Sequence, residues 1–99
     1  MANLIFVPKA ESDLIEIGFN LFEHMPYAAV IRKLEEITQA CLNLAKFPNP
    51  GRKRDNDLKA EIRSFAVEPY LIFYRIQSPS EIRILRILHG SRDIGPERF

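Results

Sequence analysis

Pro48-Asn49-Pro50-Gly51 divides this sequence into two halves that no single helix or strand can bridge. The two prolines remove two backbone donors within three positions, and the residue before each is driven out of the helical region. Ahead of this break the apolar residues recur with the period of a helix; behind it they run or alternate as in strands. A chain of 99 residues has room for one core, so residues 1–99 are expected to form a single domain.

The front half opens with Leu4-Ile5-Phe6-Val7, ended by Pro8, which predicts a strand over 3–7. Proline suits the first turn of a helix, and a helix is expected over 9–24, where Leu14, Ile17, Leu21 and Met25 recur at helical spacing. Ile15, Phe19 and Phe22 widen that stripe, so this helix is expected to bury most of its circumference. Glu11 and Asp13 lie in its first turns, favourable to the helix dipole. Met25-Pro26 breaks it, and a second helix is expected over 26–47, with Val30, Leu34, Ile37, Cys41 and Leu44 forming one seam. The connection is short, so the two helices form a hairpin. Cys41, on the seam, reads as a small buried hydrophobe, and His24, beside the break, as a capping or surface residue.

Gly51 then turns the chain and opens the basic loop Arg52-Lys53-Arg54, with Asp55 and Asp57 close behind. Three antiparallel strands are expected within 60–89, over 60–67, 70–76 and 81–89, with turns at Glu68-Pro69 and Gln77-Ser78-Pro79-Ser80. The tail 90–99 is turn-rich and expected to be irregular. The order is β-α-α-β-β-β, an α+β fold with the helical hairpin on one face of a small antiparallel sheet. The last two strands are apolar at both parities. Ile82, Ile84 and Leu88 fall on one side of the final strand, Leu85 and Ile87 on the other; the strand before it has Tyr70, Ile72 and Tyr74 on one side, Leu71 and Phe73 on the other. Such strands require cover on both faces, and one hairpin covers one. A partner chain, a second copy or an extended peptide is expected on the second face.

The formal net charge of +1 conceals an asymmetry. Residues 1–50 carry 4 Lys/Arg against 6 Asp/Glu, whereas residues 51–99 carry 10 against 7, and eight of those ten cations are arginines. Arginine presents a planar fork suited to carboxylate or phosphate, so the back half suits an anionic partner, although cross-strand ion pairing would use the same residues. With 46% hydrophobic and 27% charged residues the chain is neither a disordered segment nor a disulfide scaffold. Cys41, His24 and His89 do not supply a four-ligand zinc set, and no metal or cofactor is expected. No run approaches the roughly 18 apolar residues of a membrane span, and the N-terminus lacks the pattern of a signal peptide, so a cytoplasmic location is expected.

Several stretches together resemble the ParE/RelE toxin superfamily, and within it the ParE branch. They are Pro8–Ala10 with Asp13-Leu14-Ile15-Glu16-Ile17, Leu44-Ala45 followed by Phe47-Pro48, Gly51-Arg52, Arg63-Ser64-Phe65, Tyr70-Leu71-Ile72-Phe73-Tyr74-Arg75, and Ile84–Asp93. The resemblance covers about residues 3–93 and implies the fold just read. It also implies a type II toxin neutralised by a cognate ParD-like antitoxin in a hetero-oligomer, with DNA gyrase as target. The RelE branch implies instead a ribosome-dependent mRNA endonuclease, and an inactive antitoxin-binding remnant is a third reading. For antitoxin or target binding the candidates are Arg52, Arg63, Tyr74, Arg75, Arg83, His89 and Arg92. For RNA cleavage they are Arg54, Arg63, Arg75, Arg83 and His89, because strand scission needs cations at the phosphate and a group titrating near neutrality. The tail after His89 has no tyrosine or second histidine, which favours inhibition by binding, without covalent chemistry. Arg63 and Arg75, expected on neighbouring strands, are the leading pair.

Overall fold

The computed structural model describes residues 2–54, 61–91 and 94–99. The chain runs through β1 (Asn3–Phe6), α1 (Pro8–Phe22), α2 (Tyr27–Lys46), β2 (Arg52–Lys53), β3 (Ile62–Val67), β4 (Tyr70–Ser78) and β5 (Glu81–His89), then a 3-10 turn at Pro96–Arg98. The strands form one sheet in the order β1-β5-β4-β3-β2. The helical hairpin and the element order are those expected, but the sheet is mixed rather than antiparallel. β1 lies parallel to β5, pairing Asn3 with Glu81 through Phe6 with Ile84, while the other strands pair antiparallel. Parallel neighbours need a long crossover, and the α1–α2 hairpin is part of it.

β1 is shorter than β5, and what happens beyond its end fixes the start of α1. Val7 still donates to the Ile84 carbonyl at 3.1 Å, and Pro8 then enters the helix at its first position, where a missing N–H is harmless. The exposed edge of β5 is finished by a side chain. Asp13, buried one turn into α1, accepts the Ile87 backbone N–H at 2.9 Å.

The core lies between the hairpin and one face of the sheet. Ile17, Ile37, Cys41 and Leu44 pack there against Tyr70, Ile72, Tyr74, Ile82, Ile84 and Ile87. The side-parity expected for β5 fails at its middle. Phe73 pairs with Arg86 and Tyr74 with Ile84, so Leu85 is an extra residue, a β-bulge. The bulge moves Ile87 to the helix side with Ile82 and Ile84, and puts Leu88 and Leu85 on the opposite face.

Part of that opposite face is covered from within the chain. Ile62, Phe73 and Leu88 form a second cluster, covered by Ile94 and Phe99 of the chain's own tail. The Phe99 ring meets Phe73 edge-on at 5.2 Å and 66°. The tail expected to be irregular thus carries a short helical turn and a packed anchor. The unfinished surface lies instead on the hairpin. α1 was expected to bury most of its circumference, yet Ile15, Phe19 and Phe22 are 62, 70 and 48% exposed. One neighbouring helix and one sheet cover less of a helix than its apolar stripe spans.

Candidate functional site

Asp13 and Arg86, neither of them among the expected site residues, tie the two layers together. Arg86 donates to both Asp13 oxygens, at 2.8 and 2.9 Å, and its third donor reaches the Arg98 carbonyl at 2.8 Å. One guanidinium therefore joins α1, β5 and the tail. The Asp13 hydrogen bond also holds the Arg86 pKa above its ordinary value. The signal for this pair was an acid in the buried register of α1, between Ala10 and Ile17.

Two of the expected binding residues hold the Pro48–Gly51 break instead. Tyr74 is wholly buried; its hydroxyl donates to the Pro48 carbonyl at 2.6 Å and accepts the Gly51 N–H at 2.9 Å. Burial raises its pKa. It offers no surface to a partner, which corrects its place among the binding candidates. Arg63 donates to the Asn49 and Gly51 carbonyls at 3.2 and 3.1 Å. Gly51 is required by close approach, since a Cβ there would stand 2.1 Å from the Tyr74 hydroxyl oxygen. The residues that follow, expected as a loop, pair as β2: Arg52 opposite Ser64 and Lys53 opposite Arg63. Arg52 is exposed.

Register also separates the leading pair. Arg63 stands opposite Tyr74 and Arg75 opposite Ile62, so their side chains leave opposite faces of the sheet. Arg75 shares its face with Arg83, its direct neighbour on β5, and with Arg54, whose guanidinium lies 5.7 Å from the Phe73 ring centre and donates to Ser64 Oγ at 3.1 Å. Arg83 is paired with Glu81. Arg75 has no such acceptor, and its Nε is buried without a hydrogen bond. A buried donor left unmade costs about 1–3 kcal/mol, and two arginines side by side add repulsion. Beside Arg75 is a cleft of about 440 Å³ whose walls include Pro8, Lys9, Leu85, Arg86 and Phe99.

His89 lies at the other end of β5, opposite Tyr70, whose ring it meets edge-on at 5.7 Å. Its Nδ1 accepts the Ser91 N–H at 3.1 Å and lies 2.7 Å from Ser91 Oγ, which places the proton of the neutral ring on Nε2. It is six positions along β5 from Arg83, about 20 Å along a strand. A separate cleft of about 500 Å³ brings His89 near His24, Glu16 and Asn20, away from Arg75 and Arg83. Arg92 lies outside the described residues. Burial pushes the Cys41 thiol up to about 12, which suits a packing role. Among the described residues no cluster of His, Cys, Asp or Glu is arranged to hold a metal.

An apolar surface expected to lie in the core is instead exposed on α1. Ile15, Phe19 and Phe22 stand at i, i+4 and i+7 on α1 and flank a groove of about 370 Å³ floored by Gly18 and Leu34. It adjoins a second groove of about 350 Å³ along α2, lined by Ile31, Leu34 and Leu42. The Phe22 and Tyr27 rings, 5.7 Å apart, continue the patch past the helix connection.

Comparison with known proteins draws these features together. No curated protein sequence matches the chain. Among solved structures, it is similar in fold to a chain of the chromosomal ParDE TA system from P. aeruginosa, with TM-score 0.76 and 24% identity over 90% of this chain and 96% of that one. The family described as the ParE toxin of the type II toxin–antitoxin system parDE matches residues 4–94. That match spans both helices and the sheet through β5, and the chain belongs to the ParE toxin family of type II toxin–antitoxin systems.

Proposed function

We propose that the protein is the toxin of a pair, that it blocks DNA gyrase by binding it, and that a ParD-like antitoxin encoded beside it holds it inactive. The observation that carries the partner is the exposed ridge of Ile15, Phe19 and Phe22 with its groove, the geometry that receives an amphipathic helix. Family membership supports the toxin role. Binding is favoured over RNA cleavage because the nuclease candidates do not form one site: Arg54, Arg75 and Arg83 share a face of the sheet, but Arg63 leaves the other. Arg63 is spent on turn carbonyls, Arg83 on Glu81, and His89 stands at the far end of β5 from Arg75. The reading puts the protein in the cytoplasm, with its target; among the described residues no helix is long and apolar enough to cross a membrane.

The test is a supercoiling assay with purified gyrase, run beside expression of the toxin in cells carrying a DNA-damage reporter, with mRNA ends mapped. Loss of supercoiling and reporter induction are expected, both reversed by the neighbouring gene product. Cuts within translated messages, with gyrase and the reporter unaffected, would mean that the ribosome is the target.

A further inference from the structure

Most of the arginines of the tail-bearing face are already engaged. Arg83 is paired with Glu81, Arg86 with Asp13, and Arg54 lies against Phe73 with a bond to Ser64. Arg75 is different: it is half-buried, its Nε is sealed from water with no acceptor, and it faces the cleft walled by Pro8, Leu85 and Phe99. Lys9, exposed on the first turn of α1, lines the same cleft and has no ion-pair or hydrogen-bond partner among the described residues.

We propose that this cleft is an anion subsite that receives one carboxylate, carried by an acidic and apolar peptide segment of the antitoxin. The class of ligand follows from the walls. Two cations without a partner among the described residues line one cleft, and Val7, Leu85 and Phe99 flank them with apolar surface that lowers the local dielectric and strengthens a charge-assisted bond. A nucleic acid strand would need a longer track of free cations and open aromatic faces for its bases. Here the neighbouring arginines are occupied, and Phe73 and Phe99 are packed on each other. An acidic residue beside a leucine or valine matches both halves of the cleft. The subsite is on the face of the sheet opposite the α1 ridge, so it deepens the antitoxin reading, on which the source of the peptide rests.

Two measurements test it. In the first, acetyl-Leu-Glu-Leu-amide is titrated into the free toxin while the Arg75 Nε–H and Leu85 methyl resonances are followed. A saturable millimolar shift of both is expected, at least fivefold weaker with the Gln peptide and with inorganic phosphate. Equal response to the Gln peptide, or phosphate binding as tightly as the Glu peptide, overturns the proposal, as does no response. In the second, Arg75→Gln is compared with wild type for affinity to the neighbouring antitoxin. A loss of about tenfold or more is expected, with the free variant melting at or above the wild-type temperature because an orphaned charge is gone. Equal affinity overturns the proposal. If the antitoxin does not bind wild type at all, the antitoxin reading is what fails, and the peptide titration alone decides the cleft.

Discussion

Asp13 joins three otherwise independent parts of the molecule through one carboxylate. It occupies a buried position of α1, completes the bare edge of β5 at Ile87, and neutralises Arg86, which in turn holds the tail through Arg98. Removing one member of a buried pair is worse than never having built it, because the other charge stays desolvated. Asp13→Ala is therefore expected to lower unfolding free energy by about 3–5 kcal/mol in urea titrations; a loss below about 1 kcal/mol would show that Arg86 finds another acceptor. A second residue-scale consequence concerns alkaline pH. Cys41 has a thiol raised from 9.0 to about 12 by burial, and Tyr74 is raised above its ordinary 10.0 by the same cause. Each folded group keeps a proton that the unfolded chain releases, so its stabilisation is complete below the unfolded pKa and is lost as pH rises toward the folded one. Stability should fall from about pH 9 upward, at about 1.4 kcal/mol per unit while Cys41 alone contributes. Cys41→Ala should delay the fall to about pH 10, where Tyr74 begins; identical curves between pH 9 and 10 would exclude the thiol as cause.

Among the elements, the Pro48–Gly51 turn is the one most tightly determined. A buried phenol and an arginine hold three of its residues, Pro48, Asn49 and Gly51, from the sheet side, and Gly51 leaves no space for a methyl group. Gly51→Ala places its Cβ against the oxygen and two ring carbons of a side chain with nowhere to move, and should cost about 2 kcal/mol. Amide exchange at Arg52 and Lys53 should quicken with it, since β2 hangs from this turn. The break itself was plain in the sequence, because two prolines and a glycine have direct backbone consequences. So was the α2 seam, where Val30, Ile37, Cys41 and Leu44 are all buried as their spacing requires. The bulge at Leu85 was not, since counting parity assumes an unbroken pleat and nothing local to Ile84-Leu85-Arg86 marks an inserted residue. β2 was missed because two residues carry no periodicity. Of the candidate site, the arginines could be named in advance, but which of them are already engaged depends on register and on tertiary contacts: the bonds of Arg63 to the turn, of Arg83 to Glu81, and the unbonded Nε of Arg75.

At the scale of the whole molecule, periodicity identified the apolar stripe of α1 but not the number of neighbours available to cover it. The sheet has two faces; the hairpin takes one and the tail the other, so the surplus apolar surface is on the outside of the hairpin. The proposed recognition surfaces are then two, an apolar ridge at Phe19 and a cleft at Arg75, with the sheet between them. Phe19 is already 70% exposed, so Phe19→Ser removes little from the fold, and its unfolding free energy should stay within about 0.5 kcal/mol of wild type. If the ridge is a hot spot for the antitoxin, the same change should weaken binding by about 2 kcal/mol, roughly thirtyfold, in calorimetric titrations. Sites with no shared partners act independently, so the double variant with Arg75→Gln should lose affinity by the product of the two single losses. Such multiplicativity requires an antitoxin segment long enough to engage both sides of the sheet. A double variant no weaker than Phe19→Ser alone would mean that the antitoxin is confined to the hairpin, and would overturn the assignment of the cleft to it.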